Sequence, residues 1–173
     1  MAIRKKNRNI VLLKSVKDLK DEICYEAFEY KKHFVHLCNL IPNKELERLE
    51  IQELEKQNIK REGLVYIFVI KGYIFKIGHT IGSIKARVQS YNCGKTEYRI
   101  SGTNSTTNYF VLQSLLNIGE IVNVYAFFPP QPKYELFGLK YQDSFPVSKR
   151  AENIILNDFI KNHNKKPIGC TQR

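Results

Sequence analysis

Apolar and polar positions along the chain follow two regimes that meet at Gly63. From Ile10 onward, Leu13, Val16, Leu19, Ile23, Phe28, Phe34, Leu37 and Ile41 recur at helix-like intervals with Glu and Lys between them. One long helix or two shorter ones fit this run. Pro42-Asn43 breaks it, and Lys44 to Gln57 resumes it with Leu46, Leu49, Ile51 and Leu54 among glutamates, which predicts a solvated amphipathic helix. Residues 9–60 are therefore expected to form a helical extension that packs on the rest of the chain or on a second subunit.

Beyond Gly63 the pattern turns β-branched and aromatic. Leu64 to Ile70 and Tyr73 to Ile77 flank Lys71-Gly72, a hairpin signature. A two-residue loop would put Tyr66 and Lys76 on opposite faces, because strand side chains alternate. A three-residue loop, Ile70-Lys71-Gly72, pairs Tyr66 directly with Lys76 and gathers Val65, Ile67, Val69, Tyr73, Phe75 and Ile77 on one apolar face. The second arrangement is expected for that reason. A helix then runs from Ser83, a plausible cap, to about Asn92, with Ile84 and Val88 buried and Arg87 and Tyr91 adjacent on one face. Thr96 to Thr107 reads as a polar surface loop, Asn108 to Asn117 as a short helix ending at Gly119, and Ile121 to Phe128 as a strand. Pro129, Pro130 and Pro132 stop that strand, and Lys133 to Ser144 reads as a basic and aromatic ribbon or loop. Ser148 can cap a last helix, Lys149 to about Asn162, that carries Glu152.

The 173 residues suit one compact fold, and 43% hydrophobic content supplies a core and excludes disorder throughout. No apolar run approaches the ~18 residues of a membrane span, and the start of the chain does not read as a secretory signal. Cys24, Cys38, Cys93 and Cys170 form no C-x-x-C pair, so reduced thiols in a cytoplasm are expected. His33, His36 and Cys38 lack the further ligands of a zinc site and fit a helix face better. Twenty-eight Lys/Arg against seventeen Asp/Glu give +11, a balance that favours polyanions. Residues 1–62 hold fourteen basic and eleven acidic residues (+3), four of the basic ones being Arg4, Lys5, Lys6 and Arg8. Residues 63–173 hold fourteen basic and six acidic residues (+8), so that part should face the polyanion.

Gly63-Leu64-Val65-Tyr66, nine intervening residues and Lys76-Ile77-Gly78 resemble the two halves of the GIY-YIG nuclease motif. Arg87 and Glu152 fall where that superfamily carries its arginine and its metal-binding glutamate. The resemblance covers residues 63–160 and departs from the pattern in two places, Lys76 for the second tyrosine and Leu-Val for Gly-Ile. With the lysine variant, the small size and the expected helical N-terminal extension, it extends to type II restriction endonucleases that cleave the interrupted palindrome TCNGA. It implies an α+β fold: a small antiparallel sheet with flanking helices over residues 63–173, joined to the basic tail and helical extension of 1–62.

The implied catalytic set is Tyr66, Lys76, His79, Arg87, Tyr91 and Glu152. Phosphodiester hydrolysis needs a base for water, a cation at the non-bridging oxygens and help for the leaving oxygen. A phenol titrates near 10, and each unit of lowering takes about 1.4 kcal/mol, so Tyr66 as base needs positive potential from Lys76, a metal and His79. Arg87 suits the pentavalent phosphate, and Tyr91 can bond the phosphate or leaving group. Glu152 would be the sole carboxylate ligand of Mg²⁺, or of another divalent cation such as Mn²⁺. Arg99, Asn104, Gln131, Lys140 and Gln142 are candidates to read bases from the loops. A palindrome in double-stranded DNA cut on both strands demands a homodimer, and no small-molecule cofactor is implied. The rivals are a structure-specific or mobile-element nuclease of the same core and a non-catalytic basic nucleic-acid-binding protein.

Overall fold

The computed structural model describes residues 16, 19–54, 58–102, 105–130, 132–142 and 147–170. The basic tail and the start of the expected first helix lie outside them. Five strands form one antiparallel sheet: β1 (Val35–Asn43), β2 (Arg48–Glu53), β3 (Glu62–Ile70), β4 (Tyr73–Ser83) and β5 (Val122–Phe127). Their order is β2-β1-β5-β3-β4, which leaves β4 at an edge. Four helices, α1 (Ile84–Asn92), α2 (Thr96–Ile100), α3 (Thr106–Ile118) and α4 (Val147–His163), complete an α+β fold with a separate ribbon, β6 (Lys133–Leu136) and β7 (Leu139–Gln142).

β3 is the spine. Every residue from Leu64 to Ile70 is buried, because both faces of the sheet are covered, and that explains a continuous apolar run where alternation would otherwise be expected. On one face, Leu64, Tyr66, Phe68 and Ile70 pack with Ile84, Val88 and Tyr91 of α1 and Val111, Leu112 and Leu115 of α3. On the other, Val65, Ile67 and Val69 pack with Ile155 and Phe159 of α4 and with Tyr25, Phe28 and Phe34.

The expected helical extension is not formed in the described residues. Two short 3-10 turns, Tyr25–Ala27 and Lys31–His33, precede strands β1 and β2, which join the sheet beside β5. A β-bulge produced the helix-like spacing: His36 pairs with Tyr125 and Cys38 with Val124, so Leu37 is an extra residue and buried positions fall at 34, 37, 38 and 40. Pro42 is tolerated because the β1–β5 ladder ends at Leu40, two residues before it. In β2, Leu49 and Ile51 alternate with Arg48, Glu50 and Gln52 at the strand period.

The β3–β4 hairpin also differs from expectation. Its loop has two residues, Lys71 (φ 50°) and Gly72 (φ 83°), both left-handed as a twisted two-residue turn requires. A bulge between the pairs Val69–Ile74 and Phe68–Lys76 then shifts the register by one. Lys76 consequently pairs with Phe68, not Tyr66, and Tyr66 pairs with Gly78. Phe75 joins the face of Tyr66, and Tyr73 packs there too, while Ile74 takes the place expected for them beside Ile77.

The stretch expected as a loop after Thr96 contains α2. The Glu47 carboxylate, from the β1–β2 turn, accepts from the Thr96 amide (2.7 Å) and hydroxyl (2.6 Å), a cap supplied by a distant segment. Ser83 caps α1 by accepting from the Ala86 amide at 3.2 Å, and left-handed Gly119 (φ 72°) ends α3, both as expected. Ser148 is not a cap: it lies inside α4, buried.

Candidate active site

Five of the expected catalytic side chains meet in one cleft at the β4 edge, and the sixth lies behind it. Tyr66 on β3, Lys76 and His79 on β4, Arg87 on α1 and Glu152 on α4 line a space of about 310 Å³ with Gly78, Thr80 and Ile81. Tyr91 lies directly behind Tyr66, their hydroxyls 2.5 Å apart. Lys76 and Tyr66 share the cleft although they are not cross-strand partners, because the hairpin bulge restores the common face that the two-residue loop would have removed.

The rings of Tyr66 and Tyr91 are fully buried, and burial, then the neighbouring Tyr66, push the Tyr91 hydroxyl well above the ordinary phenol value while Arg87 opposes them. Tyr91 therefore keeps its proton and can donate it to Tyr66. Arg87 Nε also donates to the Tyr66 hydroxyl oxygen, at 3.1 Å, and its guanidinium carbon lies 4.5 Å from the Tyr91 ring centre. Burial disfavours the charge on Arg87, but contact with the two tyrosines outweighs it and raises the pKa above the ordinary value. With Tyr91 as donor, the Tyr66 oxygen is thus the acceptor of two hydrogen bonds, one of them charged.

Gly78 makes this possible. A Cβ there would lie 2.5 Å from Tyr66 Oη and 2.6 Å from Cζ, so the phenol lies across the space that any side chain would fill. Lys76 is 5% exposed, and its ammonium donates to the Gly169 carbonyl at 2.8 Å.

At the opposite wall, Glu152 is 7% exposed, with Oε2 at 3.0 Å from Lys149 Nζ and 3.8 Å from His79 Nε2. Burial lowers the His79 pKa from its usual value; Lys149 and Arg87 act in the same direction and Glu152 against it. His79 is therefore neutral at pH 7. The Ser148 hydroxyl donates to the Thr80 carbonyl (3.3 Å) and lies 3.4 Å from His79 Nδ1. Among the described residues no cluster of three His, Cys, Asp or Glu side chains forms a closed metal cage. One buried carboxylate beside an imidazole in an open cleft instead fits a hard divalent ion that retains water and binds substrate oxygens.

Three of the base-reading candidates belong to the described residues. Lys140 is exposed on β7, Gln142 ends that strand and Arg99 belongs to α2, while Asn104 and Gln131 lie outside the described residues. Lys149 and Gly169 were not singled out by sequence reasoning, and Ser148 was singled out only as a helix cap. Gly78 left a signal there as the last letter of the second half-motif.

No family model and no curated protein matches the chain. Among solved structures, it is 67% identical to restriction endonuclease HPY188I in complex with product DNA, over 100% of this chain and 98% of that one, with a TM-score of 0.72. A mutant of bacteriophage T4 EndoII is 16% identical over 78% of this chain and 92% of that one, with a TM-score of 0.55, a likeness of fold.

Proposed function

The chain belongs to the restriction endonuclease family of HPY188I, and from that premise we propose that it hydrolyses both strands of double-stranded DNA at a short palindrome. The site implied by the GIY-YIG resemblance is TCNGA. The observation that carries this reading is the convergence of Tyr66, Lys76, His79, Arg87 and Glu152 on one cleft, with Tyr91 bonded to Tyr66 behind it.

Tyr66 Oη is the base. It accepts a hydrogen bond from Arg87 and, with Tyr91 as donor, a second from Tyr91, and the buried Lys76 ammonium adds positive charge to the same cleft, so the oxygen is suited to take a proton from water. Arg87 spends Nε on Tyr66, and the remaining donors of its fork serve the phosphate oxygens, where charge grows as the fifth bond forms. Neutral His79 beside Glu152 can orient a water molecule without adding a charge. Glu152 would hold Mg²⁺ or a similar ion, which supplies Lewis-acid stabilisation of the phosphate and the leaving oxygen. One cleft serves one strand, so the proposed assembly is a homodimer.

The deciding experiment is incubation of the native protein with plasmid DNA and Mg²⁺, followed by mapping of the termini. Discrete fragments with a common end sequence are expected. Retarded but intact plasmid would replace this reading with a binding protein, and cleavage at unrelated sequences would replace it with a nuclease lacking site specificity.

A further inference from the structure

We propose that the segment after α4 is a positioning element of the active site, with the main chain of Gly169 holding the Lys76 ammonium in the cleft. The proposal rests on the nuclease reading for its catalytic meaning and on geometry for the contact itself. α4 ends at left-handed Asn164 (φ 55°), whose amide still bonds Ile160 (2.8 Å), and the chain then turns back along β4. Three links fasten it there. The Gly169 amide donates to the Phe75 carbonyl at 2.7 Å, Lys76 Nζ donates to the Gly169 carbonyl at 2.8 Å, and the Cys170 thiol lies 3.1 Å from the Ile77 carbonyl. Upstream, Lys165 pairs with Glu22 at 3.0 Å and bonds the Asp21 carbonyl.

Two observations point to a fitted contact. Gly169 is buried, and a Cβ on it would lie 2.8 Å from both Phe75 Cε1 and the Phe75 carbonyl oxygen and 2.9 Å from Lys76 Cβ. Glycine is thus needed here for space, as at Gly78. Lys76 itself is an ammonium taken almost wholly out of water, which is costly without an acceptor. The hydrogen bond to Gly169 occupies one of its three protons and fixes the direction of the stem, leaving the others for the cleft. The adjacent part of the β4 edge is occupied by the N-terminal segment, through Ile74 to Ile23 and Tyr25 to Gly72. The segments that flank the sheet in sequence therefore share its edge, and the C-terminal one touches the catalytic lysine.

The test compares the native chain, Gly169→Ala and a chain ending at Pro167, each checked for a cooperative thermal transition. Two readouts are taken: acetylation of Lys76 by an amine-reactive reagent, followed by mass spectrometry, and single-turnover cleavage of a TCNGA duplex across pH, with affinity measured separately in Ca²⁺. Both variants are expected to acetylate Lys76 about tenfold faster or more, and to cleave about 10- to 100-fold more slowly with affinity unchanged and an altered pH–rate profile, the scale of one hydrogen bond to a charged group. Unchanged Lys76 reactivity in both variants would overturn the positioning role whatever the cleavage result. Faster acetylation with native cleavage would overturn its catalytic meaning. If the native chain cleaves nothing while acetylation still responds, the contact stands and the nuclease reading falls.

Discussion

Adding one methyl group at Gly78 tests the geometry of the proposed base directly. Gly78 does not have a left-handed backbone, so it is required for space and alanine is compatible with its conformation. The new Cβ would start 2.5 Å from Tyr66 Oη, and ordinary contact begins at 3.4 Å, so the oxygen must move by 3.4 − 2.5 = 0.9 Å. The ring has little room to do so, being fully buried with Phe68 5.1 Å away, centre to centre, and Tyr91 at its hydroxyl. A displacement of about 1 Å from reacting geometry costs about 10²-fold in rate, or about 2.7 kcal/mol of barrier. Stability should fall by no more than about 2.6 kcal/mol, because overpacking costs about 1–3 kcal/mol and the reduced freedom of the unfolded chain offsets about 0.4–1 kcal/mol of it. The assay is single-turnover cleavage of a duplex carrying the site with Mg²⁺, alongside fluorescence anisotropy in Ca²⁺ and a urea melt. A Gly78→Ala rate within about threefold of native, well under one decade or 1.4 kcal/mol, would refute the placement of Tyr66 as base.

Tyr66→Phe keeps the ring and removes the accepting oxygen, so cleavage should fall by about 10²–10⁴ while DNA binding persists, and full cleavage by that variant would eliminate Tyr66 as base. Glu152→Ala should cleave nothing with Mg²⁺ in the plasmid assay; normal turnover would remove the carboxylate as metal ligand. Because the folded-state pKa of His79 is lowered, the unfolded chain binds the proton first, and this group's contribution to stability is complete above the ordinary value near 6.5 and is lost as pH falls through the folded pKa. Urea melts at pH 5 and pH 7.5 should accordingly show a larger loss for the native chain than for His79→Gln, and equal losses would contradict the assignment. DNA affinity should fall with salt with a slope of about −0.9 per phosphate contact, and a flat log–log plot would exclude phosphate contacts by the +8 region.

Where a local rule operated, the chain was legible from its residues alone. The existence of the β3–β4 hairpin, though not its loop or register, the capped start of α1, the glycine stop of α3 and the β6–β7 ribbon follow from neighbours within a few positions, whereas Tyr66, Lys76, His79, Arg87 and Glu152 were named through the family resemblance. Tertiary structure decided what local pattern could not. The bulge at Leu37 gave β1 the buried spacing of a helix, and only pairing with β5 reveals it as a strand. The short helix α2 depends on a carboxylate 49 positions away, at Glu47. Lys76 acquires its partner from Gly169, 93 positions away, and Tyr66 acquires its space from the missing side chain across the ladder. A sequence records each residue's own preferences; which distant backbone satisfies a buried charge, or vacates room for a ring, is fixed only when the sheet edge closes and a buried donor such as the Lys76 ammonium must find an acceptor.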